Sequence, residues 1–406
     1  MLGKTIHDVP QEILDRIISC LCWEDEALKA CALTHRAWTR ASQKYLHDSQ
    51  TFNWQDGEVP VPEQYSNPEI ASMVRSMFLA EPPSPTYDPE AWALLARFPR
   101  VTELRISCAE WYSTAEDRDR MHAAFGQVTS LSLSGCTWQH GHDLVYFLSA
   151  FPNVTDLEIS DSSLPSARCM DLASYPRQKI DTIPGSALRT LSISWDDSTS
   201  DFDEVDMHEL VGPWLAHFPS VVPEGLRFKW SSSHRWSAFP ACIRAIGPVL
   251  DRLDVSFLDN DPAPADFGLD QCTQLRTISI GCICYKSPFD KHRHPAPDYS
   301  WVPRMLSQVR SPHIHTVHLG LSVRKLPDLE RLDFKHVDTI LCGARFARAV
   351  VILSFPPFVF RVSENPENVR FLSQAFAGLE TVCSQGRIAA MVEGYPLSTA
   401  LLFPSL

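Results

Sequence analysis

Hydrophobic positions at the start of the chain recur with a helical period. In "DVPQEILDRIISCL", residues 8–21, Ile13, Leu14, Ile17, Ile18 and Leu21 cover an arc of roughly 140° at about 100° per residue. Cys20 and Cys22 widen it to about 200°, where one packed neighbour needs only about 100°. The pattern predicts a helix with two apolar neighbours, one of them a candidate partner protein. Asp8 and Gln11 mark its start, with Pro10 inside the first turn. In "WEDEALKACALTHRAWTRASQKYLH" the pattern continues. Leu28, Cys31 and Ala32 share one face, Trp38, Ala41 and Tyr45 another, and Glu24, Asp25 and Glu26 suit a helix N-terminus. Residues 8–47 are therefore predicted as three short helices, too few residues to hold a core alone.

Past Phe52 the period changes. "VPVPEQYSNPE" and "AEPPSPTYDPE" are rich in proline and predict linker and loop. One phrase then returns: "VTELRIS" at Val101, "VTSLSLS" at Val128, "VTDLEIS" at Val154, "LRTLSIS" at Leu188, "LDRLDVS" at Leu250, "LRTISIG" at Leu275 and "IHTVHLG" at Ile314. Alternating apolar and polar positions predict half-buried strands. Between them lie helix-like segments such as "PEAWALLARFP", "HDLVYFLSAFP", "MHELVGPWLAHFP", "PACIRAIGPVL" and "WVPRMLSQVR". Phe-Pro recurs at Phe98, Phe151 and Phe218, where proline ends a helix and opens a turn. Strand, loop and helix returning every few tens of residues predict a solenoid. Near the C-terminus, "LPDLERLDFKHVDTIL" and "ENPENVRFLSQAFAGLE" predict helices flanking a strand, "ARAVVILSF", with the last segment capping the sheet.

Composition narrows the function classes. Hydrophobic residues make up 44% of 406, enough for a sizeable core. The net charge of −13, with no long Lys/Arg block, disfavours nucleic acid as a partner. The 12 cysteines form no Cys-x-x-Cys pair or secretory framework and predict reduced core thiols in a cytoplasmic or nuclear protein. No signal peptide is evident, and the apolar run from Ala349 is too short, and too rich in proline, to span a membrane. The sequon at Asn153 falls where a buried strand is expected and is set aside.

Catalytic and cofactor motifs do not emerge. Gly3-Lys4-Thr5 lacks the strand and upstream glycine of a phosphate loop. Cys282, Cys284, His292 and His294 lie close in sequence but fit no standard zinc spacing. The acidic run from Trp195 lacks the glycine of a calcium loop. No metal or cofactor is expected.

Two stretches carry family resemblances. Val9-Pro10-x-Glu12-Ile13-x-x-x-Ile17-x-x-x-Leu21, then Leu28 and "CALTHRAW" closing on Arg36-Ala37-Trp38, resembles an F-box, whose usual pattern opens Leu-Pro-x-Glu-Leu and ends near Val-Cys-Arg-x-Trp. Val9, Ile13 and His35 depart from that pattern, and the match covers about a tenth of the chain. The repeated strand phrase resembles the leucine-rich repeat, with variable repeat lengths and the expected Asn or Cys after the strand only at Cys136. The expected fold is α/β: an F-box at 1–50, a Pro-rich linker and cap at 51–97, and an irregular leucine-rich-repeat horseshoe with a curved parallel sheet at 98–406. The combination resembles fungal F-box proteins.

The resemblance implies a non-catalytic substrate receptor of a Skp–cullin–F-box ubiquitin ligase. A Skp-type adaptor would contact Val9, Pro10, Glu12, Ile13, Leu14, Ile17, Leu21, Leu28, Leu33, Arg36 and Trp38, and would bring the cullin scaffold. A target protein would meet the outward sheet face at Arg105, Ser132, Glu158, Ser192, Arg252 and Asp254. The runner-up is a solenoid scaffold that binds the adaptor without directing ubiquitylation.

Overall fold

A computed structural model describes residues 9–54, 61–82, 89–111, 115–164, 187–195, 205–206, 214–215, 221, 223–230, 238–257, 265–283, 299–322, 332–355, 373, 377–392 and 395–397. It divides into two compact units, Met1–Leu157 with Ser162–Ala187, and Glu158–Asp161 with Leu188–Leu406.

The first unit opens with three helices, α1 (Gln11–Ser19), α2 (Asp25–Thr34) and α3 (Arg36–Asp48). Pro10 is the N-cap of α1 rather than a residue of its first turn, and Asp8 lies outside the described residues. Glu24 precedes α2, whose first turn holds Asp25 and Glu26, as the helix dipole favours. His35 caps α3: its Nδ1 accepts a hydrogen bond from the Ala37 N–H at 3.1 Å. Ile18, Leu28 and Ala41 form the buried centre of this module, with Leu21, Cys31, Trp38, Tyr45 and Leu46 packed around it.

No linker follows. The strand Ser49–Asn53 begins at the residue after α3 and pairs in parallel with Ser76–Ala80, which pairs with Glu103–Ser107, which pairs with Ser130–Ser134. The repeat ladder thus starts at Ser49 and continues with Ser76–Ala80 inside the stretch expected to be linker and cap. Proline-rich composition concealed it, because "SQTFN" carries one large apolar residue and "SMFLA" three in a run, so neither alternates. Rows of buried residues stack in register, Met77 on Leu104 on Leu131 and Leu79 on Ile106 on Leu133. Each such side chain contributes about 1.5–3 kcal/mol as an upper estimate. Helices Pro89–Leu95 and Gly141–Ser149 fall where expected, whereas Ala115–Phe125 was not anticipated, being polar at most positions. Phe98 and Phe151 are buried, so the Phe-Pro phrase joins a core anchor to a helix stop.

Several strands turn sharply at their ends. Glu81, Cys108 and Gly135 follow their strands with positive φ, as does Asp161 after Asp156–Ser160. The N–H groups of Glu81 and Cys108 donate to the carbonyls of Ser107 and Ser134 on the next strand, both at 2.8 Å. Beyond the turn, short strands Glu110–Trp111, Thr137–Trp138 and Ser163–Leu164 form a second parallel ladder. Left-handed backbone costs a residue with a Cβ about 1 kcal/mol. Cys108→Gly is therefore expected to raise stability by about 0.5–1 kcal/mol, and Gly135→Ala to lower it by about 1 kcal/mol. Urea denaturation of the two variants beside the wild type checks both signs.

The second unit continues the same plan. Thr190–Trp195, Gly225–Trp230, Arg252–Phe257, Thr277–Ile283, Thr316–Leu321, Val350–Phe355 and Ile388–Val392 pair in parallel in chain order. Tyr395–Leu397 pairs with Ile388–Val392 as an antiparallel strand; of the helix expected at 364–380, its described end is helical and runs on to Ser384, and most of the rest lies outside the described residues. Helices Ala238–Ile246, Trp301–Gln308 and Phe334–Leu341 lie on the buried side. Neighbouring repeats are tied through helix ends. The buried Asp338 Oδ1 accepts the Val382 N–H at 3.0 Å, and the Arg387 guanidinium donates to the carbonyls of Leu341, Phe346 and Ala349. Parallel strands in sequential order with helices on one side make both units leucine-rich-repeat-like α/β solenoid segments. Among the described residues, no helix is long and apolar enough to cross a membrane.

Candidate functional site

The helical module presents apolar side chains that its own core does not use. Leu14 and Ile18 of α1 point inward and are buried, while Ile13 and Ile17, one turn apart on the other stripe, are each 48% exposed. Leu33 is 89% exposed and Trp23 92%. Of the residues expected at the adaptor, Pro10, Glu12, Ile13, Ile17, Leu33 and Arg36 are exposed, and Val9 is half-buried. Leu14 and Leu28 are buried, against their expected place on the contact surface, and Leu21 and Trp38 pack, partly buried, against the same core. They hold the helices in position and offer a partner little area. Trp23 was missed because it sits in the turn after α1, outside the helical period.

The open sheet face of the first unit carries Glu103, Arg105 and Asp156. Phe78, Arg105 and Ser132 align across three strands. Arg105 is held by Glu103 of its own strand, at 2.6 Å through Nη2 and 3.0 Å through Nε. Both side chains are exposed enough that the pair adds little stability. Glu158 is exposed on its strand.

The second unit carries a denser row. Ser192, Arg227, Asp254, Ser279, His318 and Ile352 are successive partners across six strands. Asp254 accepts from Arg252, with Oδ2 at 3.2 Å from Nε and 3.1 Å from Nη2, and Arg227 Nε lies 3.5 Å from the same oxygen. Its Oδ1 is buried and accepts no hydrogen bond from the described residues. His318 bridges its neighbours: Nδ1 lies 3.1 Å from the Ser279 hydroxyl, and Nε2 meets that of Ser354. Arg227 and Lys229 were missed because "GLRFKW" opens on glycine and ends on tryptophan, unlike the other strand phrases. The alternation of Leu226, Phe228 and Trp230 was the available signal.

Burial pushes the His318 imidazole below its usual pKa; the Asp254 carboxylate opposes the shift and Arg252 assists it. His47, packed edge-on to Tyr65 with Nδ1 3.3 Å from its hydroxyl, is lowered by burial too. With folded values below the unfolded one, the unfolded chain binds more protons. Stability is therefore full above about pH 6.5 and falls as the pH drops towards the folded values. Melting curves between about pH 7.5 and 5.5 should show this decline, and His318→Gln should make it shallower.

Other candidate groups fall differently. Three tryptophans follow or end strand phrases and would be anchors if exposed: Trp138 is buried, with its ring 5.1 Å from that of Phe147, and the side chains of Trp111 and Trp195 lie outside the described residues. Asn153 is exposed, against expectation, and its amide donates to the Gly126 carbonyl at 2.8 Å. Cys136, Cys242, Cys272 and Cys383 are buried thiols, but Cys20 and Cys108 are exposed, which corrects the reading of all as core residues. Cys284, His292 and His294 lie outside the described residues, and no metal-ligand cluster occurs among the described ones.

Comparison with known proteins adds the following. No family model matches the chain, and no curated protein matches it in sequence. Among solved structures it is similar to the leucine-rich repeat-containing protein LegL7 from Legionella pneumophila, at 14% identity and a TM-score of 0.45, over 88% of this chain and 98% of that one. It is also similar to an internalin (inlF) from Listeria monocytogenes, at 10% identity and a TM-score of 0.31, over 71% of this chain and 69% of that one. The fold assignment rests on the strand ladders themselves.

Proposed function

We propose that this chain is a substrate-recognition subunit of a Skp–cullin–F-box ubiquitin ligase. Its helical module docks the adaptor, and the open sheet face of its repeats binds the target protein. The observation that carries the reading is the exposed pair Ile13 and Ile17 on α1, opposite the buried Leu14 and Ile18. A helix with one apolar stripe in the module core and a second in solvent is built for a partner. Together with the Pro10-x-Glu12-Ile13 opening and the close on Arg36-Ala37-Trp38, it supports an F-box. The chain then contributes proximity, raising the effective concentration of target lysines near the conjugating enzyme.

Affinity purification of the full chain with mass spectrometry tests the reading. Adaptor and cullin should appear together, with a target whose ubiquitylation rises when the chain is supplied. Adaptor without cullin would instead support a scaffold role, and neither protein would reject both.

A further inference from the structure

We infer that the open sheet face of the second unit binds an extended protein segment with an acidic cluster at one end and aliphatic side chains at the other, about 19 Å apart. This rests on the reading of that face as the target surface. It adds which unit engages the target and what chemistry is recognised.

The face changes character along the ladder. At the strands Gly225–Trp230 and Arg252–Phe257 it presents Arg227, Lys229 and Arg252 around the single carboxylate of Asp254. Arg227 and Arg252 are each 58% exposed at the side chain. Both approach the same Asp254 oxygen, at 3.5 Å through Arg227 Nε and 3.1 Å through Arg252 Nη2, so one carboxylate serves two guanidinium groups. Among the described residues, three cations around one carboxylate leave a positive excess on a chain whose net charge is −13. Such a local reversal of sign selects an anionic partner and repels a basic one. Four strand spacings from Gly225–Trp230, at Val350–Phe355, the same face presents Val350, 45% exposed, and the half-buried Ile352. Small polar groups fill the interval, where Ser279, His318 and Ser354 bond to one another and need nothing from a ligand. A segment crossing the strands meets charge, then a neutral polar floor, then aliphatic surface.

The probe is a fluorescein-labelled peptide with a glutamate block and a leucine block, separated by a serine-rich spacer of about six residues, which spans about 19 Å when extended. It is made in both chain directions and titrated into the full-length protein by anisotropy. One direction should bind, more weakly as salt is raised. Replacing its glutamates with glutamine should weaken binding at least about tenfold, as should Arg227→Glu with Lys229→Glu in the protein. Arg252 is left in place so that Asp254 keeps a partner. Val350→Thr with Ile352→Thr, which keeps β-branched side chains on the strand, should weaken the leucine-bearing peptide only. A melting curve confirms that each variant is folded. Equal binding of the glutamine peptide, wild-type affinity in the charge-reversed variant, or no binding in either direction overturns the inference. Adaptor capture without peptide binding rejects this inference alone, and peptide binding without adaptor capture rejects the ligase reading alone.

Discussion

Replacing Ile13 and Ile17 together with aspartate should lower affinity for a Skp-type adaptor at least about 100-fold while the chain stays folded. The two side chains are already half in solvent, so the change removes little from the module core, and stability should move by no more than about 1 kcal/mol. In a docked complex the same side chains lose their remaining water contact. Burying an isoleucine fully is worth about 1.5–3 kcal/mol, of which about half remains to be gained here, and a buried carboxylate adds a desolvation penalty. Two such sites exceed about 2.8 kcal/mol, the equivalent of 100-fold. Surface plasmon resonance with purified adaptor reads the loss, and a melting curve run beside it reads the fold. Unchanged affinity would remove α1 from the docking surface. Leu28→Ala gives the contrast: it opens a cavity in the module and should cost about 2–5 kcal/mol of stability.

The largest effect on stability is expected at the junction between the helices and the first repeats. Phe52 and Phe98 lie with ring centroids 5.5 Å apart, and Tyr65 closes the cluster at 6.4 Å from Phe52 and 5.3 Å from Phe98. All three are buried, and each comes from a different segment. Phe52→Ala should cost about 3–5 kcal/mol, through lost transfer energy and the cavity left behind. The Arg75 N–H donates to the Asp48 carbonyl at 2.8 Å, and His47 sits on Tyr65. Loss of the cluster should therefore loosen the end of α3 as well. Hydrogen exchange of the α3 amides should quicken in Phe52→Ala along with those of Ser76–Ala80. Exchange confined to the strands would show the two parts to be energetically separate.

The readable part of the fold was the part with a period. Residues such as Leu104 and Ile106, or Leu131 and Leu133, alternate cleanly and gave away their strands. The first two strands carry Phe52 alone, or Met77, Phe78 and Leu79 in a run, so alternation failed there and the prolines around them read as linker. Ala115–Phe125 escaped because only Met121, Ala124 and Phe125 give it an apolar stripe. At the candidate surfaces, the excess arc of α1 was visible as pattern. Which of its residues face out was not, since Ile13 and Leu14 are chemically alike and only packing separates them. The cationic strip was invisible for another reason: Arg227 lies 25 residues from Arg252 in sequence and becomes its neighbour only through strand register.

The direct passage from α3 into Ser49–Asn53 has a mechanical consequence. The Arg75 N–H on the Asp48 carbonyl and His47 against Tyr65 pin this junction, so the helices serve as a spoke fixed to the hub of the first repeats. Whatever grips α1 also sets the heading of those strands. A tethered domain explores a volume, and its encounters scale with the length of its leash. A fixed spoke instead offers one orientation and samples no others. Flexible residues inserted between Asp48 and Ser49 would exchange the second behaviour for the first, turning a jig into a lasso.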